Sequence, residues 1–144
     1  MYAVFEPTFY YSVCTVMLAL AVVVFIVLHR ITAGYGAMYS AKWGPSVNNR
    51  LGWILMEAPV FVAMLLFWLF SPRAGEPALI VMAGLFELHY FQRSFIFPMM
   101  IRGKNRMPLI IILIGVIFNL INSYMIGGWL FYVSPADTYP VSWL

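Results

Sequence analysis

Two stretches of this sequence put reactive side chains into surroundings that are otherwise greasy. Phe86–Pro98 reads FELHYFQRSFIFP and carries Glu87, His89, Tyr90, Gln92 and Arg93, and Asn48–Pro59 reads NNRLGWILMEAP and carries Glu57 one turn after Trp53. On a helix Phe86, Tyr90, Arg93 and Phe97 follow i, i+4, i+7, i+11 and share a face. His89 with Arg93 is an i, i+4 pair, and Glu87 with Tyr90 an i, i+3 pair at the edge of that face. A tyrosine flanked by arginine, with a carboxylate from a second helix beside it, can hold a polarised hydroxyl in a low-dielectric site. Such a hydroxyl suits a substrate oxygen on which charge develops.

The elements that must position these residues follow from composition. The chain has 144 residues, 64% hydrophobic and 9% charged, far from the roughly 45–50% apolar and 25% charged of soluble domains. Its length allows a single transmembrane domain, residues 1–144. Four apolar stretches approach or exceed the ~20 residues needed to cross the hydrocarbon core: about 9–28, 51–70, 78–100 and 108–133. Backbone groups must be satisfied inside lipid and nothing alternates like barrel strands, so an all-α membrane protein of four transmembrane helices is expected. The first 30 residues lack the basic start and the small-residue cleavage site of a signal peptide. Cys14 stands alone, which excludes an internal disulfide.

Basic residues orient the bundle. Arg30, Lys42 and Arg50 lie in the first loop and Arg102, Lys104 and Arg106 in the third, whereas the second holds only Arg73, balanced by Glu76. The positive-inside rule then places the first and third loops in the cytoplasm and the N-terminus on the non-cytoplasmic side. Glu57 lies about 9 Å from the cytoplasmic start of its span, Arg93 about 12 Å and Tyr90 about 16 Å, at 1.5 Å per residue. All three fall in one half of the membrane, within reach of long side chains.

An ionisable residue at that depth costs at least ~2.5–3.5 kcal/mol and is a functional candidate by default. Plainer roles stand beside the chemical one. Glu57 with Arg93 also reads as a purely structural buried pair, His89 as a packed residue, and Asn119 and Asn122 as interhelical hydrogen-bond glue. Trp129, Tyr132, Tyr139 and Trp143 suit membrane interfaces. Two histidines 60 residues apart and one cysteine offer no metal-ligand spacing, there is no glycine-rich dinucleotide loop, and no basic patch suggests nucleic acid.

In order along the chain, GYGAMYS, NNRLGWILMEAP, FELHYFQRSFIFPMMIRGKNRMPL and NLINSYMIGGWL resemble the N-terminal half of the steroid 5α-reductases (3-oxo-5α-steroid 4-dehydrogenases). That family has a GYG turn, a W-x-x-Q-E-x-P segment, an H-Y-x-x-R segment and an R-G-x-x-x-P loop. The likeness runs from about Gly34 to the C-terminus, with Met56 where Gln is usual and Ala58 where Leu is usual.

The resemblance implies the N-terminal part of a seven-helix membrane reductase. It also implies NADPH-dependent reduction of the 4,5 double bond of a 3-oxo-4-ene steroid or similar lipidic enone. Glu57 and Tyr90 then hold the ketone oxygen; Trp53, His89 and Arg93 support the pocket; and Arg102, Lys104 and Asn122 approach the cofactor. Most family cofactor contacts lie beyond the stretch resembled, so a fragment inactive alone is expected. Location would be the endoplasmic reticulum membrane in a eukaryote, the inner membrane in a bacterium. The rival class is a small four-helix proton-coupled multidrug exporter using Glu57, although its carboxylate would be expected in the first span, which here is uncharged.

Overall fold

The structure, a computed structural model, describes residues 3–31, 34 and 38–140. Helix α1 spans Pro7–Leu28, with Pro7 preset for a first turn and the Glu6 carboxylate accepting from Phe9 N–H at 3.1 Å. A short strand β1 (Ser46–Asn48) leads into α2 (Asn49–Leu69), capped by Asn48 Oδ1 on Arg50 N–H at 2.8 Å. Helix α3 (Pro77–Phe91) passes into a π turn (Gln92–Ile96) and then a last turn, α4 (Phe97–Met100). Strand β2 (Arg106–Pro108) precedes α5 (Leu109–Gly128), which ends in a second π turn (Trp129–Val133).

Two expectations change. Among the described residues three helices are long and apolar enough to cross a membrane: Pro7–Leu28, Asn49–Leu69 and Leu109–Val133. The 78–100 stretch is not among them: Glu87, His89, Gln92 and Arg93 lower its hydropathy, and the π turn interrupts its α-helix. Pro98 gives a physical reason, since a proline inside a helix removes one backbone bond and crowds the carbonyl four residues earlier. The architecture also contains a two-stranded antiparallel ladder, Ser46 opposite Pro108 and Asn48 opposite Arg106, that hydrophobic periodicity did not announce. The GYG turn lies mostly outside the described residues, as does Trp143.

The ladder sets the helix spacing. Helix α2 departs after Asn48 and α5 after Pro108, from opposite ends of three paired residues. Two strand rises and one inter-strand spacing put those departures about 8 Å apart, the separation of closely packed helices. The ladder is extended by Asn49 N–H on the Asn105 carbonyl at 3.1 Å and by Leu109 N–H on the Pro45 carbonyl at 2.8 Å. Arg106 grips Ser46 through Nε at 2.8 Å, and Arg50 Nε donates to the Ile101 carbonyl at 3.0 Å.

From that start α2 and α5 run parallel and in step, linked by hydrogen bonds between residues 63 to 65 apart. Their approach depends on glycine. A side chain at Gly115 would overlap Met56, and a Cβ at Gly127 would lie 2.7 Å from Phe67. Helix α3 runs antiparallel to α2, as Trp53 on Phe97, Glu57 on Arg93 and Phe61 on Phe91 show. The apolar core, Met64, Leu79, Ala83 and Phe131, seals the end remote from the ladder.

There Arg73 clasps the chain. Its Nε and Nη2 bind both Glu76 oxygens at 2.7 and 2.9 Å, while Nη1 donates to the Leu130 and Ser134 carbonyls at 3.1 and 3.0 Å. The π turn leaves carbonyls that need donors, and Arg73 supplies them. Helix α1 attaches mainly through its first turns. Tyr10 donates to the Met125 carbonyl at 2.8 Å, and Phe5 stacks on Tyr132 at 4.0 Å. Its remaining length, Leu18 and Val22 to Leu28 included, is exposed and apolar, as suits a helix bathed in lipid.

Candidate functional site

The site lies between α2, α3 and α5, in the half nearer the ladder. Glu57 is 2% exposed. Its Oε1 accepts from Arg93 Nη2 at 2.8 Å and its Oε2 from Asn119 Nδ2 at 3.4 Å, while the same amide donates to the Met56 carbonyl at 2.8 Å. Three helices therefore meet on one carboxylate. An unpaired buried charge is not tolerated in such surroundings, and Arg93 supplies the pairing cation.

Arg93 belongs to the π turn. Such turns insert an additional residue into the helical circuit and frequently occur at functional sites. The Arg93 side chain is 42% exposed, so its guanidinium bridges the buried carboxylate and the more open side of the bundle. Trp53 supports it: the guanidinium carbon stands 5.3 Å from the indole centroid, and the indole meets Phe97 edge-on at 5.3 Å.

Tyr90 lies one turn farther from the ladder. Its hydroxyl faces the Asn122 side chain and lies within the fields of Glu57 and Arg93. Its ring leans on Phe86 at 4.5 Å and meets His89 edge-on at 5.1 Å. No direct Glu57–Tyr90 hydrogen bond is formed; carboxylate and phenol are related through Arg93 and the two α5 asparagines.

The other sequence-named residues separate by position. Trp53 and Arg93 join Glu57 directly. His89 is exposed, its ring touching Tyr90 from outside the polar cluster. Arg102 and Lys104 are exposed on the 101–105 loop. Asn122, grouped with them from sequence as a cofactor residue, instead stands against Tyr90. Asn119 was read only as helix glue, yet it bonds the central carboxylate. The signal for both asparagines was their i, i+3 spacing, which sets consecutive levels on one face of α5.

No protein-family model matches the chain. Curated relatives do. Over 110 residues it is 31% identical to steroid 5-alpha-reductase DET2 of Arabidopsis thaliana, a match covering 72% of this chain and 42% of the relative. Over 133 residues it is 32% identical to 3-oxo-5-alpha-steroid 4-dehydrogenase 1 of Bos taurus, covering 88% and 49%. Over 104 residues it is 33% identical to 3-oxo-5-alpha-steroid 4-dehydrogenase 2 of Mus musculus, covering 69% and 38%. The chain spans less than half the length of these relatives. Within that span, its sequence is related to the steroid 5α-reductase family of oxidoreductases.

Proposed function

We propose that this chain carries the ketone-polarising part of an NADPH-dependent reductase acting on the 4,5 double bond of 3-oxo-4-ene steroids or similar lipidic enones. The observation that carries the reading is the convergence of Arg93, Tyr90 and Asn122 around the buried Glu57 carboxylate, from three helices. Tyr90 donates its hydroxyl proton to the ketone oxygen. Asn122 lies on the facing side of α5 and, as a donor to the phenolic oxygen, would leave the phenolic proton free for the substrate. Charge gathering on the ketone during reduction is met by a fixed hydroxyl rather than by water, the arrangement that favours an oxyanion most. Glu57 holds Arg93 and Asn119 in place, and the Glu57–Arg93 dipole fixes the direction in which the hydroxyl points.

NADPH, when bound, supplies the hydride. Arg102 and Lys104 suit its phosphates: both are exposed cations on a loop without acidic residues. Within the same proposal the 78–100 stretch crosses the membrane as a fourth, π-interrupted span, and the ladder with its basic loops faces the cytoplasm. The membrane is that of the endoplasmic reticulum in a eukaryote or the inner membrane in a bacterium. An exporter exchanging protons at Glu57 fits less well, because that carboxylate is tied to Arg93 and Asn119 instead of being poised to release its ligand.

The test needs only binding. A 3-oxo-4-ene steroid titrated into the chain in lipid nanodiscs should show its enone absorption moved to longer wavelength by the Tyr90 hydrogen bond. Tyr90→Phe should remove the shift and weaken binding by up to about tenfold, the value of one hydrogen bond. An unshifted band in the wild type, or a shift unchanged by Tyr90→Phe, refutes the assignment.

A further inference from the structure

One buried acid takes no part in the cluster just described. Glu87 stands one turn from Tyr90 on α3, and both its carboxyl oxygens are closed to solvent and without a hydrogen-bond partner among the described residues. It continues the row of Leu79 and Ala83, both fully buried. No described side chain offers it a hydrogen bond or an ion pair. A carboxylate there would be an uncompensated buried charge, and that favours the neutral acid. Glu57, nearer the ladder on α2, has the opposite circumstances, with Arg93 and Asn119 both bonded to its carboxylate.

A neutral acid beside a ketone-binding phenol has a use. Reduction of an enone leaves an enolate once the β-carbon has received hydride, and the α-carbon must then take a proton. The α-carbon is bonded to the carbonyl carbon, so its proton source must lie close to the group that binds the oxygen. Three residues along a helix are about 4.5 Å, and Glu87 is that far from Tyr90, on the side away from Arg93. We propose that Glu87 is the general acid that protonates the α-carbon, an inference resting on Tyr90 binding the ketone. The carboxyl O–H breaks, the enolate electron pair forms the new C–H bond, and the carbonyl re-forms under the Tyr90 hydroxyl. Glu87, left as carboxylate, regains its proton from solvent.

The same proton transfer runs backwards without any cofactor, starting from the Glu87 carboxylate that the forward step leaves, which makes it testable on the chain alone at a pH raised until exchange is maximal. A saturated 3-oxo steroid incubated with the chain in nanodiscs in deuterated water should gain deuterium at its α-carbon, read by mass spectrometry. Glu87→Gln, nearly isosteric, should slow exchange at least ~100-fold, the usual contribution of a general acid or base. It should leave the wavelength shift of a bound enone intact, showing that the site is still folded. Glu87→Asp should recover part of the exchange. Wild-type exchange that persists in Glu87→Gln, or a bound and shifted enone with no exchange in the wild type, overturns the role of Glu87 alone. A wild type that fails to shift the enone band overturns the Tyr90 assignment and this inference with it.

Discussion

Breaking the Glu57–Arg93 pair from one side should cost more than removing it altogether. Replacing Arg93 by Met strands a carboxylate that is 2% exposed, with only the 3.4 Å contact from Asn119 left to it. The gross attraction of two unit charges near contact is about 4 kcal/mol at an effective dielectric of 20. Loss of one partner from a fully buried pair typically costs about 3–5 kcal/mol. Arg93 is 42% exposed along its side chain, which screens the pair and moves it toward the ~1 kcal/mol ceiling of surface bridges. Arg93→Met should therefore destabilise by about 2–3 kcal/mol, between those limits. Glu57→Gln should cost less, because its partner can turn its guanidinium to the open side.

The double variant, Glu57→Gln with Arg93→Met, carries no stranded charge. It should recover most of the Arg93→Met loss, giving a coupling energy of about 2 kcal/mol in a double-mutant cycle. Unfolding in mixed micelles of increasing denaturing-detergent fraction, followed by helical circular dichroism, measures the four corners. Single losses that simply add would refute the reasoning, since they would mean that Glu57 does not depend on Arg93 for its charge.

Two further outcomes follow from other contacts. Gly115→Val should force α2 from α5 because its side chain overlaps Met56, costing about 1–3 kcal/mol as overpacking does, and Met56→Ala should restore most of that in the same unfolding assay. At the other end, the hydrogen bond from Arg73 holds the Glu76 carboxyl below its ordinary range. Its stabilisation is therefore present above that range and lost as pH falls through the lowered value. On acidification the wild-type Tm should fall more than that of Glu76→Gln, and equal slopes would mean that the clasp contributes nothing.

Much of this arrangement was legible in the sequence. Periodicity and length located α1, α2 and α5 to within two residues at their starts, because apolar runs with capping residues such as Glu6 and Asn48 leave little choice. Depth counted from the basic loops put Glu57 and Arg93 in the same layer, where the structure has them 2.8 Å apart. The ladder was not legible, since three paired residues carry no periodic signal. Asn119 was legible as an interhelical hydrogen-bonding residue, which its bond to the Met56 carbonyl bears out, but its contact with the Glu57 carboxylate depends on the step between α2 and α5. The π turn had one visible sign, Pro98 inside an otherwise helical run, but its position two to six residues back could not be read from the chain.

That turn also explains why a simple helical wheel places the α3 residues only in part. A π turn of five residues lags an α-helical stretch of the same length by about a quarter-turn. Phe86 and Tyr90 precede it and keep the shared face that their spacing implies, in contact at 4.5 Å. Phe97 follows it and is rotated relative to them, yet still reaches Trp53. Arg93 lies within the lag itself, between the Trp53 ring and the Glu57 carboxylate. A straight helix would have to choose between presenting Tyr90 and Glu87 to the interior and matching its last turn to the short loop that ends in β2. The wide turn removes that conflict and sets Arg93 at the join, which is why the residue that neutralises Glu57 sits where the helix is least regular.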